Sequence, residues 1–256
     1  MIANIPEDDT PQPLFDHLNE LRRRLLWAVL AFLGATGISY LYAQEIYGFL
    51  VEPLAQAMGE GSSHRLIYTN LTEAFFTYLK VAMFTGAFIT CPFVLIQIWL
   101  FVAPGLFPKE KKAVVPFLIS APLLFFAGGA IVYKIVLPMA WAFFLSFQSS
   151  GDMTTLPVVL EPRVGEYLDL VMVLIFAFGL CFQMPVVMGL LALAGLVTPE
   201  FLAGKRRYAI VMIFVVAAII TPPDVISQIA LAIPLCLLYE ISVWVVKRIH
   251  HDRHTT

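Results

Sequence analysis

Charge is scarce in this chain. Acidic and basic residues make up 13% of its 256 positions and hydrophobic residues 60%, where a soluble domain carries about a quarter and about a half. With a mean hydropathy of +0.84, a soluble globular fold is excluded and an integral membrane protein remains. Cysteine is scarce too. Cys91, Cys181 and Cys236 fall in separate apolar runs with no metal-ligand spacing, so they read as buried inert thiols rather than a disulfide or zinc site. The tail histidines His250, His251 and His254 read as part of a solvated cationic end rather than a metal site. Other patterns are missing altogether. No G-x-x-x-x-G-K-[ST] occurs and no glycine-rich loop precedes a helix, which argues against ATP hydrolysis. No Ser/His/Asp, H-E-x-x-H or paired-histidine arrangement suggests a membrane protease or a haem protein. No internal repeat is present, which argues against the inverted-repeat transporters. Neither an enzyme activity nor a cofactor is expected.

What the chain has in abundance is long apolar runs, each to be measured against the roughly 20 residues that span a membrane. Arg22, Arg23 and Arg24 followed by Leu25 and Leu26 look like the start of a secretory signal. The apolar run continues to Tyr42, however, beyond a signal's core of about 7–15 residues, and no small-x-small cleavage site follows. Residues 25–42 are therefore expected to be retained as a first span. Ile46, Phe49, Leu50, Leu54 and Met58 recur at helical spacing and predict an amphipathic helix on the far membrane surface, broken near Pro53. Asn70, with Glu73 three residues on, is a helix start signal for a second span over 74–103, bent at Pro92. The third, 113–147, carries Pro116, Pro122 and Pro138, and the fourth, 164–196, carries Gln183 near its centre just before Pro185. Thr198, Pro199 and Glu200 read as an N-cap, a first-position proline and a first-turn acid, so a short surface helix follows.

The fifth run, 208–220, has only about 13 apolar residues before Thr221-Pro222-Pro223-Asp224, or roughly 20 Å against a hydrocarbon core of about 30 Å. The sixth, 225–246, opens with Asp224 and Gln228 and is bent by Pro234. The polar turn at Thr221 must lie below the usual membrane surface, or the bilayer must thin to meet it. The expected fold is an all-α polytopic bundle of six transmembrane helices, proline-bent, with short fifth and sixth spans. Residues 1–15 read as a flexible N-terminal segment, 16–248 as one transmembrane domain and 249–256 as a tail.

Twelve of the sixteen lysines and arginines fall in four clusters, at 22–24, 109–112, 205–207 and 247–253. Consecutive clusters are separated by two spans, so all four face one side, and the positive-inside rule makes that side and both termini cytoplasmic. Two of the clusters hold a lone acid. In DHLNELRRR, Glu20 stands two residues before three arginines, and in FVAPGLFPKEKK, Glu110 stands among three lysines. Two carboxylates at a partly dehydrated interface suit two guanidinium groups of a basic peptide, each held by a bidentate pair. Local charge balance is the plainer reading. Gln183 needs protein or a wet cavity around it, either as glue between helices or as a docking point. Asp224 and Gln228 share a helix face, and Asp224 also suits a cap. Lys80, Lys134 and Glu240 lie near span ends and can snorkel.

Taken together and in order, DHLNELRRRLL, TNLTEAFFTYLK, IQIWLFVAPGLFPKEKK, FGLCFQMPVV and TPPDVISQ resemble the TatC family, the C subunit of the twin-arginine protein translocase. The resemblance runs over about residues 14–246. It implies a glove-like, concave six-helix bundle with both ends cytoplasmic in a bacterial inner membrane. It also implies a multimeric receptor complex that binds twin-arginine signal peptides of folded precursors. Single-span partners of the TatA and TatB types, assembling beside spans five and six, and use of the proton-motive force are implied with it. By the same resemblance Glu20, Arg22, Phe101 and Glu110 belong to the signal-binding surface and Pro53 to the first external loop. Thr221, Asp224 and Gln228 then belong to the polar group at the TPP turn, and Gln183 falls where many members of the family carry glutamate. The rival class is a proton-coupled small-solute carrier using Glu110 and Asp224, which fits poorly because the two acids sit near opposite membrane faces.

Overall fold

A computed structural model describes residues 14–59, 65–106, 111–148, 160–220 and 225–255. The described residues are almost entirely helical, as they must be where no water is present to satisfy backbone N–H and C=O groups. The helices are α1 (Leu14–Leu41), α2 (Ala43–Met58), α3 (Glu73–Leu106), α4 (Lys111–Ile131), α5 (Leu137–Leu145), α6 (Val164–Cys181), α7 (Met184–Leu193), α8 (Pro199–Gly204), α9 (Arg206–Ile220) and α10 (Val225–Thr255). Among the described residues, five helical stretches are long and apolar enough to cross a membrane: His17–Leu41, Glu73–Phe101, Val115–Leu145, Val164–Leu193 and Gln228–His251.

The remaining expected span is α9, whose 15 residues rise only about 22 Å. The expected short sixth span is corrected: α10 runs 31 residues, because its basic end continues the helix rather than ending it, and cations suit a helix C-terminus. The basic segment at 22–24 lies within the first turns of α1, which is continuous over 28 residues.

The core is built on α6. Val164, Leu168, Val171, Ile175 and Phe178 are buried at helical spacing, and α4, α5, α9 and α10 contribute Phe125, Leu137, Ala217 and Leu231 around them. Helix α1 is the opposite case, with Trp27, Leu30 and Leu33 all more than half exposed on the side turned away from the rest of the bundle. It lies antiparallel along α3, with His17 stacked on Phe101 at one end and Thr36 against Gly86 further along.

Prolines shape the bundle, and the structure corrects one expectation about them. Helix α2 is not broken at Pro53, which is buried inside it. A proline at this position removes the N–H that the Phe49 carbonyl, four residues earlier, would accept. That carbonyl accepts instead from the Tyr133 hydroxyl at 2.7 Å, and the Phe49 and Tyr133 rings stack at 4.3 Å. In the third span, the run between α4 and α5 opens into a π-turn over Val132–Val136 just ahead of Pro138, the widening that frees room for the proline ring.

The N-terminal ends of α3 and α6 are joined by one carboxylate. Glu73 Oε2 accepts from the backbone N–H groups of Thr69 and Asn70 at 2.9 and 3.3 Å, the reach-back of a capping box. Its Oε1 accepts from the Gly165 N–H at 3.1 Å. Close by, Ile67 and Arg163 form an isolated parallel bridge. At the other side the Thr198 hydroxyl caps α8 by accepting from the Phe201 N–H at 3.3 Å. The Glu200 carboxyl is held below its ordinary range first by its own backbone N–H, then by the Thr198 hydroxyl and by His250 and Lys247 of α10.

Helices α4 and α6 cross closely at Gly128, where a Cβ would lie 2.8 Å from the Phe178 carbonyl oxygen. A backbone atom cannot swing aside, so Gly128→Ala is expected to lower stability by about 1–3 kcal/mol, read as a lower unfolding midpoint of the purified protein in detergent. Gly34→Ala, where nothing lies within 4 Å, is the matched control and is expected to be neutral or slightly stabilising.

Candidate functional site

The first turns of α1 and the last turns of α3 meet at one end of the bundle. His17, Glu20 and Arg24 follow at i, i+3 and i+7 and so share a face of α1, while Gln97 and Phe101 are one turn apart on α3. The His17 and Phe101 rings stack with centroids 4.1 Å apart and planes at 13°. Glu20 Oε1 accepts from Arg24 Nε at 2.9 Å and from Arg24 Nη2 as well. Arg24 Nη1 donates to Gln97 Oε1 at 2.8 Å. One acid, one guanidinium and one amide therefore tie α1 to α3, with the Glu20 and Arg24 side chains each 20% exposed. Glu20 Oε2 has no hydrogen-bond partner among the described residues. An ion pair of this spacing adds only about 0.3–0.5 kcal/mol on a helix surface, so stability alone is a weak reason for it.

Of the residues singled out in the sequence, Glu20, Arg22 and Phe101 are brought to this end, with Phe101 partly buried and Arg22 exposed. Glu110, Thr221 and Asp224 lie outside the described residues. Sequence reasoning passed over Arg24, Gln97 and His17 as members of the cluster. The available signals were the Glu20 to Arg24 spacing of four, and a glutamine one turn before Phe101 in an otherwise apolar run.

The intramembrane amides turn inward. Gln183 sits in the break between α6 and α7, 5% exposed, and its Nε2 donates to the Ala121 carbonyl of α4 at 2.9 Å, while its Oε1 is buried without a partner. Gln228 Nε2 donates to the Phe214 carbonyl at 3.1 Å, tying α10 to α9. Pro53 is buried in α2. Two of the three charges expected to snorkel are paired within the chain instead. Lys80 Nζ donates to both Asp169 oxygens at 2.8 and 2.9 Å, joining α3 and α6, and Glu240 accepts from Arg206 at 2.9 Å. Among the described residues no group of three metal-ligating side chains occurs.

Because the Gln183 amide gains one bond and buries one unsatisfied oxygen, Gln183→Leu removes both together. The variant is expected to accumulate in the membrane and to unfold within about 1 kcal/mol of the parent protein in a detergent melt.

Comparison with known proteins bears on the whole chain. A family model described as "Sec-independent protein translocase protein (TatC)" matches residues 16–234. A protein of that description from Rickettsia prowazekii is 45% identical over 238 residues, covering 93% of this chain and 94% of its own. Another, from Aquifex aeolicus, is 41% identical over 235 residues, covering 92% and 95%. A solved structure described as the twin arginine translocase receptor TatC superposes with a TM-score of 0.77 at 39% identity, over 91% of this chain and 99% of that one. The chain is a multi-pass membrane protein that belongs to the TatC family of Sec-independent protein translocases.

Proposed function

We propose that this chain is the receptor and core subunit of a twin-arginine translocase, and that Glu20 and Glu110 hold the paired arginines of a precursor's signal peptide. The observation that carries the reading is Glu20 itself. It is a partly exposed carboxylate whose Oε2 has no partner among the described residues, one turn along α1 from the His17 ring that stacks on Phe101, at the end of the bundle that carries the chain's first basic cluster. A guanidinium fits such a group better than an ammonium, because its fork matches a carboxylate. In this reading α9 is the short fifth of six spans, both termini lie in the cytoplasm, and the concave bundle is embedded in the bacterial inner membrane. Single-span TatA- and TatB-type proteins assemble beside α9 and α10, and the proton-motive force drives transport. Family membership and the repeated two-span separation of the basic clusters support this topology.

Binding of a labelled twin-arginine peptide to the purified full chain tests the receptor role. Glu20→Ala and Glu110→Ala are each expected to weaken binding by about 1–3 kcal/mol, the range for hydrogen bonds to charged groups. Unchanged affinity in the double variant would overturn the reading. A second test concerns α9, whose span is shorter than the hydrocarbon core by about 8–10 Å, so that the bilayer thins around its end. Cysteines at Ile219 and Ile220, in a background lacking Cys91, Cys181 and Cys236, are expected to react with a water-soluble thiol reagent added from outside. Protection equal to that of a cysteine in the middle of α4 would refute thinning.

A further inference from the structure

We propose that Arg24 is a resident guanidinium that occupies Glu20 in the unliganded chain and limits how strongly an incoming arginine is held there. The inference rests on the receptor reading above and concerns the same carboxylate. Arg24 brings both Nε and Nη2 to a single oxygen, Oε1, and leaves Oε2 without a partner among the described residues. A ligand arginine seeking a fork pairing needs both oxygens. With Arg24 in place it gets one oxygen, or it must move Arg24 off the other.

Displacement is built into the geometry. Nη1 of Arg24 is anchored on α3 by Gln97 Oε1 at 2.8 Å, so the side chain can release Glu20 while keeping a partner. The pair is also 20% exposed on each side, which lets a ligand reach it and lets water take up the donors that Arg24 gives up. The two outcomes differ for the two cations a peptide can present. A lysine ammonium is a point charge that is satisfied by Oε2 alone, whereas an arginine gains its second bond only when Oε1 is cleared. Arg24 therefore holds down the affinity for arginine more than that for lysine, keeping the complex releasable.

Arg23, exposed and without a described partner, is one residue away and carries the same charge, which makes it the control for a general charge effect. The test measures binding of two labelled peptides, one with adjacent arginines and one with adjacent lysines, to the full chain in detergent or nanodiscs. Arg24→Gln is expected to tighten the arginine peptide about tenfold, the equivalent of one charge-assisted hydrogen bond, and the lysine peptide by much less. Gln97→Ala, which removes the partner that Arg24 keeps when it leaves Glu20, is expected to weaken the arginine peptide while leaving the lysine peptide nearly unchanged, and it decides the matter by the same comparison if Arg24→Gln does not accumulate. Arg23→Gln is expected to shift both peptides slightly and equally. An arginine peptide that binds Arg24→Gln no better than the parent, or a gain shared equally by both peptides, overturns the resident role and leaves the receptor reading standing. Glu20→Gln binding as well as the parent overturns the receptor reading, and the resident role with it.

Discussion

Every backbone carbonyl and N–H inside a membrane needs a partner within the protein, and this chain, with 17 prolines, repeatedly removes the partner a helix would supply. The architecture follows from how each gap is met. At Pro53 a tyrosine hydroxyl from the neighbouring span replaces the missing N–H. At Pro138 the helix widens into a π-turn. At Pro185 the span divides into α6 and α7, and the Gln183 side chain in the break reaches α4. The first and third of these also link elements that are distant in sequence, so at those two places the chain fixes where its helices touch.

Two carboxylates that each gather more than one hydrogen bond stand at helix ends. The Glu20, Arg24 and Gln97 cluster stands where α1 and α3 meet, with its two charged side chains partly exposed, and Glu73 joins the opposite ends of α3 and α6 through backbone N–H groups that helix geometry leaves unpaired. The middle of the bundle offers little for charge to do. Helix α6 buries an almost wholly apolar face, from Val164 to Phe178. Under the receptor reading proposed above, a cationic ligand is met at the rim, by side chains with access to water.

Much of the fold was legible in the sequence because apolar run length is a strong signal. The first four spans and α10 emerge where hydropathy put them, and so does the Thr198 cap of α8. What was not legible depended on tertiary partners. A proline in an amphipathic run reads as a break unless one knows that Tyr133 stands ready to accept its consequence. Lys80 and Glu240 read as snorkelling charges until Asp169 and Arg206 are brought to them across helix pairs. In the site, Glu20 was visible as an isolated acid in a basic stretch. Its engagement by Arg24 is written in the local spacing, but the Gln97 anchor lies 73 residues along the chain from Arg24, and only the antiparallel packing of α1 on α3 supplies it.

The Pro53 and Tyr133 pair makes the history of the two positions directional. If Pro53 is exchanged first, residue 53 regains its N–H, the Phe49 carbonyl recovers its helical donor, and the Tyr133 hydroxyl becomes dispensable for that bond. If Tyr133 is exchanged first for phenylalanine, the ring stack survives but the carbonyl that accepts at 2.7 Å loses its protein donor while the proline still denies it a replacement. The first order passes through an intermediate with one donor too many, the second through one with a donor too few. Drift along this part of the chain is thereby a ratchet, in which the hydroxyl can be lost only downhill of the proline.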